Sequence, residues 1–407
     1  MLSCLICKSP IPHYLEDRRL CAKHARQQNL SFLSEQLKEK DFASASSSVF
    51  VGRYNYPNVN VGILAPPISD EHTWMLDAPD VWSKQNVPIS RIVSFRSSLL
   101  NNRFSAHILD PRKSSKFLSL SQELSMVEKP TDIEIHLEEK PHFTMNFSDT
   151  ALPFGPATKL KEIEVTQNPS VNQRIEKIVY DTDLKATEGL TTLYEKGISE
   201  HSLSKVLSVG NLGLKKDRKL VPTRYAITAV DDTLGKHLLN EIKDNEKTGY
   251  LAHFGSYLGN YYLILFFPEI WSYELFEMYT PSFRGDNYST DAESFQGRTT
   301  YAENTAGGYY TVRLAIAEKL SRLHRQSSVL ALRFITDEYE VPLGVWVTRE
   351  AARKALEEKP IEFGSKELML EYSKKIALKK FHCDLSTIFD RSFILKNVLH
   401  QKKLFQF

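Results

Sequence analysis

Four residues near the start of the chain are spaced for metal chemistry. Cys4, Cys7, Cys21 and His24 follow the pattern C-x2-C-x13-C-x2-H, two ligand pairs of the kind that close a tetrahedron around one zinc ion. Four protein ligands leave no open coordination position, so the zinc expected here is structural. His13 is the alternative if His24 is not a ligand. Disulfide pairing is the weaker reading, because MLSCLICKSP lacks a signal segment and the expected setting is cytoplasmic. Arg18, Arg19, Lys23 and Arg26 lie between and beside the ligands, as a small basic surface or simply a solvated face.

A second set suits phosphodiester chemistry. Asp181 and Asp183, Asp231 and Asp232, and Glu274 and Glu277 lie near strand and turn signals, and such carboxylates hold Mg²⁺ or Mn²⁺ in two-metal catalysis. Arg218, Lys219, Arg224 and Arg298 supply cations for a phosphate. Gly307 and Gly308 open a helix whose free N–H groups attract an anion. Each has a structural reading as well: helix cap, surface acid, or glycine for close packing.

These groups need elements to position them, and RKLVPTRYAITAVDDT at 218–233 is the centre of the arrangement. Residues 225–230 roughly alternate large and small side chains and include β-branched Ile227, Thr228 and Val230, which predicts a strand bounded by Pro222. Asp231 or Asp232 then caps a helix with Leu234, Leu238, Leu239 and Ile242 in period. Upstream, the spacing predicts a short helix over 30–40, a small-residue linker over 44–48, and two strands around a turn over 49–62. Arg53 and its neighbouring tyrosines in that turn could receive a nucleotide or a DNA backbone; a plain edge hairpin explains its glycines equally. Downstream come a helical region over 171–194 broken at Asp181–Lys185, a hairpin over 251–267 turning near Gly259 and Asn260, and a long polar loop over 279–296. A helix over 311–325 and strands over 328–335 and 344–348 follow.

At 407 residues, 42% hydrophobic and 25% charged, the chain is globular and too long for one ordinary core. The expected class is α+β: a zinc-finger module over 1–28, a mixed α/β domain over 29–150, a second over 151–395 and a tail over 396–407. A net charge of +2 means that any DNA-binding surface is a local patch. No apolar run approaches the roughly 18 residues of a membrane span, so no membrane association is expected.

The runs NPSVNQRIEKIVYDTDLKA, RKLVPTRYAITAVDDT, GRTTYAENTAGGYY and VPLGVWVTRE, preceded by VFVGRYNYPNVNVG and closed by QKKLFQF, resemble the archaeal Nre family of DNA repair proteins, NreA type. The resemblance covers nearly the whole chain. It implies a part in DNA damage repair, an N-terminal zinc finger on Cys4, Cys7, Cys21 and His24, and a C-terminal peptide at 401–407 that binds the replication sliding clamp (PCNA). A clamp-binding PIP motif needs a glutamine, an aliphatic residue three further on and an aromatic plug, presented by a short 3₁₀ turn. Gln401, Leu404 and Phe407 supply these; the second aromatic of the motif is missing, and Phe405 is not at its position. The expected function is therefore a DNA repair protein that docks on the clamp and contacts DNA. The alternatives are a metal-dependent nuclease or other phosphodiester-processing or nucleotide-processing enzyme, and a non-enzymatic structural adaptor.

Overall fold

The computed structural model describes residues 21–37, 39–113, 115–143 and 155–400; Cys4, Cys7, His13, Arg18, Arg19, Gln401, Leu404 and Phe407 lie outside them. It is α+β and divides into two units, residues 1–233 with 340–343, and residues 234–339 with 344–407. Among the described residues no helix is long and apolar enough to cross a membrane.

Alternating apolar residues build the first unit's sheet. Its elements are α1 (Ala22–Gln36), β1 (Asp41–Ser46), β2 (Ser48–Val51), β3 (Asn58–Ala65), α2 (Pro79–Lys84), α3 (Ile89–Ser98), β4 (Leu100–His107), α4 (Lys116–Leu124), β5 (Thr131–Leu137), β6 (Ala157–Val165), α5 (Gln173–Tyr180), α6 (Ala186–Glu195), α7 (Glu200–Ser208) and the first part of α8 (Thr223–Ile242), a helix whose residues from Leu234 onward belong to the second unit. Ile133, Ile135 and Leu137 of β5 are buried at every second position, as a sheet with one face on a core requires, and Val59, Val61 and Ile63 of β3 share that core. The strand order is β1-β5-β6-β4-β3-β2. Strand β6 pairs with β5 on one side and β4 on the other, so residues beyond 150 complete a sheet begun before it. The expected boundary near 150 is thus replaced by one between Thr233 and Leu234.

Two other expectations are corrected in this unit. The serine run at 44–48 is not a linker but the end of β1 and the start of β2. The Ser44 and Ser46 hydroxyls donate to the carbonyls of Pro66 and Leu64 at 2.5 and 2.7 Å, which satisfies small polar side chains inside the sheet. Residues 225–230 are not a strand: α8 starts at Thr223, and the Tyr225 and Ala226 amides donate to the Pro222 carbonyl. Ala226, Val230, Leu234 and Leu238 are buried at intervals of four. That helical period outweighs the β-branched residues between them.

The second unit contains β7 (Tyr250–Tyr257), β8 (Asn260–Phe267), β9 (Ser272–Tyr279), β10 (Tyr288–Glu293), α9 (Gly307–Leu323), β11 (Ser328–Ile335), α10 (Trp346–Glu357), β12 (Ile361–Phe363), α11 (Lys366–Phe381), α12 (Ser386–Arg391) and α13 (Phe393–His400). Its strands are ordered β10-β9-β11-β8-β7-β12. One face buries Leu265, Phe276, Leu332 and Phe334 against Phe381, Ile388 and Ile394 of α11 to α13, each such side chain stabilising by about 1.5–3 kcal/mol. The other face carries α9 and α10, packed so closely that a Cβ on Gly255 would meet the Ala355 Cα at 2.6 Å. The expected strand over 344–348 is instead a turn and the start of α10, with Gly344 at φ 102° leading into Trp346.

Candidate nucleic-acid interface

Backbone pairing brings three separate segments of the first unit together. The Ile108 amide donates to the Pro57 carbonyl at 3.0 Å, and the Leu220 amide donates to the Ile108 carbonyl at 2.8 Å. The turn between β2 and β3, the segment after β4 and the segment before α8 therefore run side by side. The Thr223 hydroxyl fixes the last of these, accepting from the Val51 amide at 2.8 Å and lying 3.0 Å from the Ser208 hydroxyl. Residues 52–58, 107–113 and 218–225 hold six arginines and lysines against one acid, Asp110.

Five of those cations are exposed: Arg53, Arg112, Lys113, Lys219 and Arg224. None forms an ion pair with another described residue. Arg53 donates to the Tyr54 hydroxyl at 2.9 Å, and its guanidinium lies 5.0 Å from the Tyr54 ring centroid. That hydrogen bond, together with the phenols of Tyr54 and Tyr225, holds the Arg53 guanidinium above its ordinary value. Arg112 donates to the Arg218 carbonyl at 3.0 Å, which places it beside Lys219. Arg218 itself is committed to structure, donating to the carbonyls of Gly213 at 3.0 Å and Val179 at 2.6 Å. So three of the expected phosphate-binding residues, Arg218, Lys219 and Arg224, share this surface, and two of them present free charge. Arg112 and Lys113 were not legible as partners, since they lie about a hundred residues away in sequence and only the backbone pairing joins them.

The fourth expected cation has another use. Arg298 pairs with Asp291 at 2.9 Å and donates to the carbonyls of Ala292, Thr300 and Tyr301, clamping the loop ahead of α9. Gly307 and Gly308, at the entrance of α9, are both buried. A Cβ on Gly307 would meet Val345 Cγ1 at 2.8 Å, and one on Gly308 would meet Glu277 Oε1 at 2.8 Å. The anion beside this helix start is thus the protein's own Glu277 carboxylate, and close packing is what the two glycines permit.

The six candidate carboxylates occupy unlike settings. Asp181 Oδ1 accepts the Asp183 amide at 3.2 Å in an exposed turn between α5 and α6. Asp231 and Asp232 fall in the middle of α8 rather than at its N-terminus, so the expected N-cap position is not theirs; adjacent residues there point about 100° apart. Glu274 accepts the Ser392 hydroxyl at 2.5 Å and the amides of Phe393 and Ile394 at 3.0 and 3.1 Å, capping the start of α13. Burial raises its carboxyl, against the lowering effect of those donors. Glu277 receives Arg333 Nη1 at 2.5 Å, and Arg333 also reaches Asn260 Oδ1. Three residues apart on β9, Glu274 and Glu277 project to opposite faces of the sheet, so they cannot share one metal.

At the N-terminus, Cys21 is the residue before α1 and His24 lies in its first turn. Their Sγ and Nδ1 atoms are 2.9 Å apart, so two of the four expected zinc donors converge; a thiolate and imidazole pair suits zinc. One buried cluster had no sequence signal. Asp77 takes Arg96 at 2.9 Å, the Ser48 hydroxyl at 2.7 Å and His201 Nε2 at 3.2 Å. Burial alone would raise the Asp77 carboxyl, but His201 and Arg96 hold it well below the usual range. It ties β2, α3 and α7 together and joins residues scattered over more than a hundred positions.

Residues 15–283 match the family described as "Archaeal Nre, N-terminal", and residues 293–407 match "Archaeal Nre, C-terminal". The chain belongs to the archaeal Nre family. This Nre chain is 36% identical over 397 residues to "DNA repair protein NreB" of Archaeoglobus fulgidus, covering 96% of the chain and 98% of that protein. It is 35% identical over 327 residues to "DNA repair protein NreA" of Haloferax volcanii, covering 78% of each. A second Archaeoglobus fulgidus protein, also "DNA repair protein NreA", is 36% identical over 325 residues, covering 78% of the Nre chain and 80% of its own length. No solved structure matches it.

Proposed function

We propose that this Nre protein is a DNA repair factor that contacts DNA through Arg53, Arg112, Lys113, Lys219 and Arg224. The observation that carries the reading is the convergence of these cations on one exposed surface with no carboxylate paired to them among the described residues; relatives named as DNA repair proteins supply its biological setting. Unpaired surface cations of this kind neutralise phosphates and release counterions, so affinity must fall steeply with salt. A mobility shift of duplex DNA tests this over a series of salt concentrations. Arg53→Ala with Arg224→Ala is expected to weaken binding and to lower the salt slope by up to about 1.8, about 0.9 for each phosphate that is no longer neutralised. Binding by the double variant with unchanged affinity and slope refutes the surface; no binding by the wild-type protein at low salt leaves the adaptor reading in its place.

Two further parts belong to the same proposal. The tail at 401–407 docks on the sliding clamp through Gln401, Leu404 and Phe407, and Leu404→Ala with Phe407→Ala abolishes clamp pull-down; equal capture by the variant removes this partner. Cys4, Cys7, Cys21 and His24 hold one structural zinc, supported by the approach of Cys21 and His24. Metal analysis is expected to find one zinc per chain, lost in Cys4→Ser with Cys7→Ser, and destabilisation confined mainly to the N-terminal module. A metal-free wild-type protein with an unaltered melting profile overturns it. The nuclease reading is not favoured, because Glu274 and Glu277 each serve a different face of their sheet.

A further inference from the structure

We propose that Tyr54, Tyr56 and Tyr225 form a stacking platform for unpaired DNA bases on the same surface, so that the DNA this protein prefers is single-stranded. The inference rests on the DNA-contact reading above and names the form of DNA. Tyr54, Tyr56 and Tyr225 are 69%, 66% and 53% exposed, whereas Tyr262, Tyr273 and Tyr309 of the second unit are fully buried. Ring faces left in water contribute nothing to a core, yet these three lie on tightly fastened backbone. Val51 and Thr223 fix the segments on either side, the Gly52 amide donates to the Asn60 carbonyl at 2.8 Å, and Pro57 is held by Ile108. Arg53 lies over the Tyr54 ring, Tyr225 is among the groups that raise the Arg53 guanidinium, and Arg224 adjoins Tyr225 in sequence, so rings and cations occupy the same neighbourhood.

A duplex offers such a surface only its phosphates, because its bases are already stacked on one another. Tyrosine rings gain contact only with bases that have left the helix, and each base stacked on an aromatic side chain adds to affinity regardless of sequence. Arg53, Arg224 and Lys219 would track the backbone between those bases. Cations interleaved with exposed rings are the pattern of surfaces that hold single strands; cations alone would suffice for duplex binding.

Fluorescence anisotropy with three probes tests this at one salt concentration: an oligothymidylate of about twelve nucleotides, an abasic oligomer with the same number of phosphates, and a duplex of the same length. The wild-type protein is expected to bind the oligothymidylate about tenfold or more tighter than the abasic oligomer. Tyr54→Ala, Tyr56→Ala and Tyr225→Ala together should erase that preference while leaving abasic binding unchanged, and the corresponding triple Phe variant should keep it. Equal affinity of the wild-type protein for thymidylate and abasic probes overturns the platform but leaves the DNA-contact reading standing. Loss of all three affinities to background in the wild-type protein sinks both. All three tyrosines are exposed, so a thermal melt coincident with wild type shows that the Ala variant is folded.

Discussion

Arg224 and Arg333 are single guanidiniums on regular elements, and their surroundings differ in the respect that decides their use. Arg333 is buried on β11 between Glu277 and Asn260, with both ends of its fork occupied; burial would lower its pKa, but Tyr262 and Glu277 keep it charged. Arg313 on α9 is held the same way by Glu293 at 2.9 Å, and Arg353 on α10 by Glu318 and Glu350. In the second unit these charges fasten the face beneath α9 and α10. On the first unit's surface, Arg224, Lys219 and Lys113 meet no carboxylate among the described residues. A cation in a sequence is therefore functional or structural according to its partner, and the partner is set by the fold.

That contrast can be broken from either side. The largest effect is expected from Glu277→Ala, which leaves Arg333 buried without its carboxylate and should destabilise the second unit by about 3–5 kcal/mol. Denaturant unfolding followed in parallel with Arg224→Ala measures it, since the surface variant should stay within about 0.5 kcal/mol of wild type. Similar destabilisation of both variants would erase the distinction between the two regions.

Acid should reach the second unit through His253. This ring is buried on β7, with Nδ1 3.2 Å from the Glu358 carbonyl. Burial first, and Lys319 second, push its pKa down to about 4. The unfolded chain takes up the proton near the ordinary value of about 6.5, so the contribution is complete above that pH and is lost as pH falls toward 4. It amounts to at most about 3 kcal/mol. Melting at pH 7 and pH 5 should show the loss in the wild-type protein and a smaller one in His253→Leu; the same pH dependence in both would assign it elsewhere. The smallest effect is that of Arg224→Ala on stability, alongside a weakening of DNA binding with a fall of up to about 0.9 in the salt slope.

Regular elements with one dominant pattern were legible in the sequence. The strand expected over 328–335 coincides with β11, and the hairpin turning at Gly259 and Asn260 is β7 and β8. Where two patterns competed, the reading failed. Ile227, Thr228 and Val230 suggest a strand locally, but the four-residue spacing of Ala226, Val230, Leu234 and Leu238 extends well beyond that short window. The expected domain boundary near 150 failed because β6 closes its sheet with partners far upstream. At the candidate interface Arg224 and Lys219 were legible as cations. Their neighbours Arg112 and Lys113 are placed by the backbone pairings at Ile108 and by the bond from Arg112 to the Arg218 carbonyl, which no local pattern encodes. Arg298 was legible as a charge, whereas its commitment to Asp291 and three carbonyls was not.

The Glu274 cap on α13 has a mechanical consequence. It anchors to β9 the start of the helix that precedes, in sequence, the proposed clamp-binding segment 401–407. Any seven-residue segment, fully extended, reaches only about 25 Å. A clamp ring gripped by that peptide would be on a short leash, and a short leash keeps the local concentration of tethered partners high. Loosening that anchor, as Glu274→Ala would, lengthens the leash without touching a residue of the gripping motif.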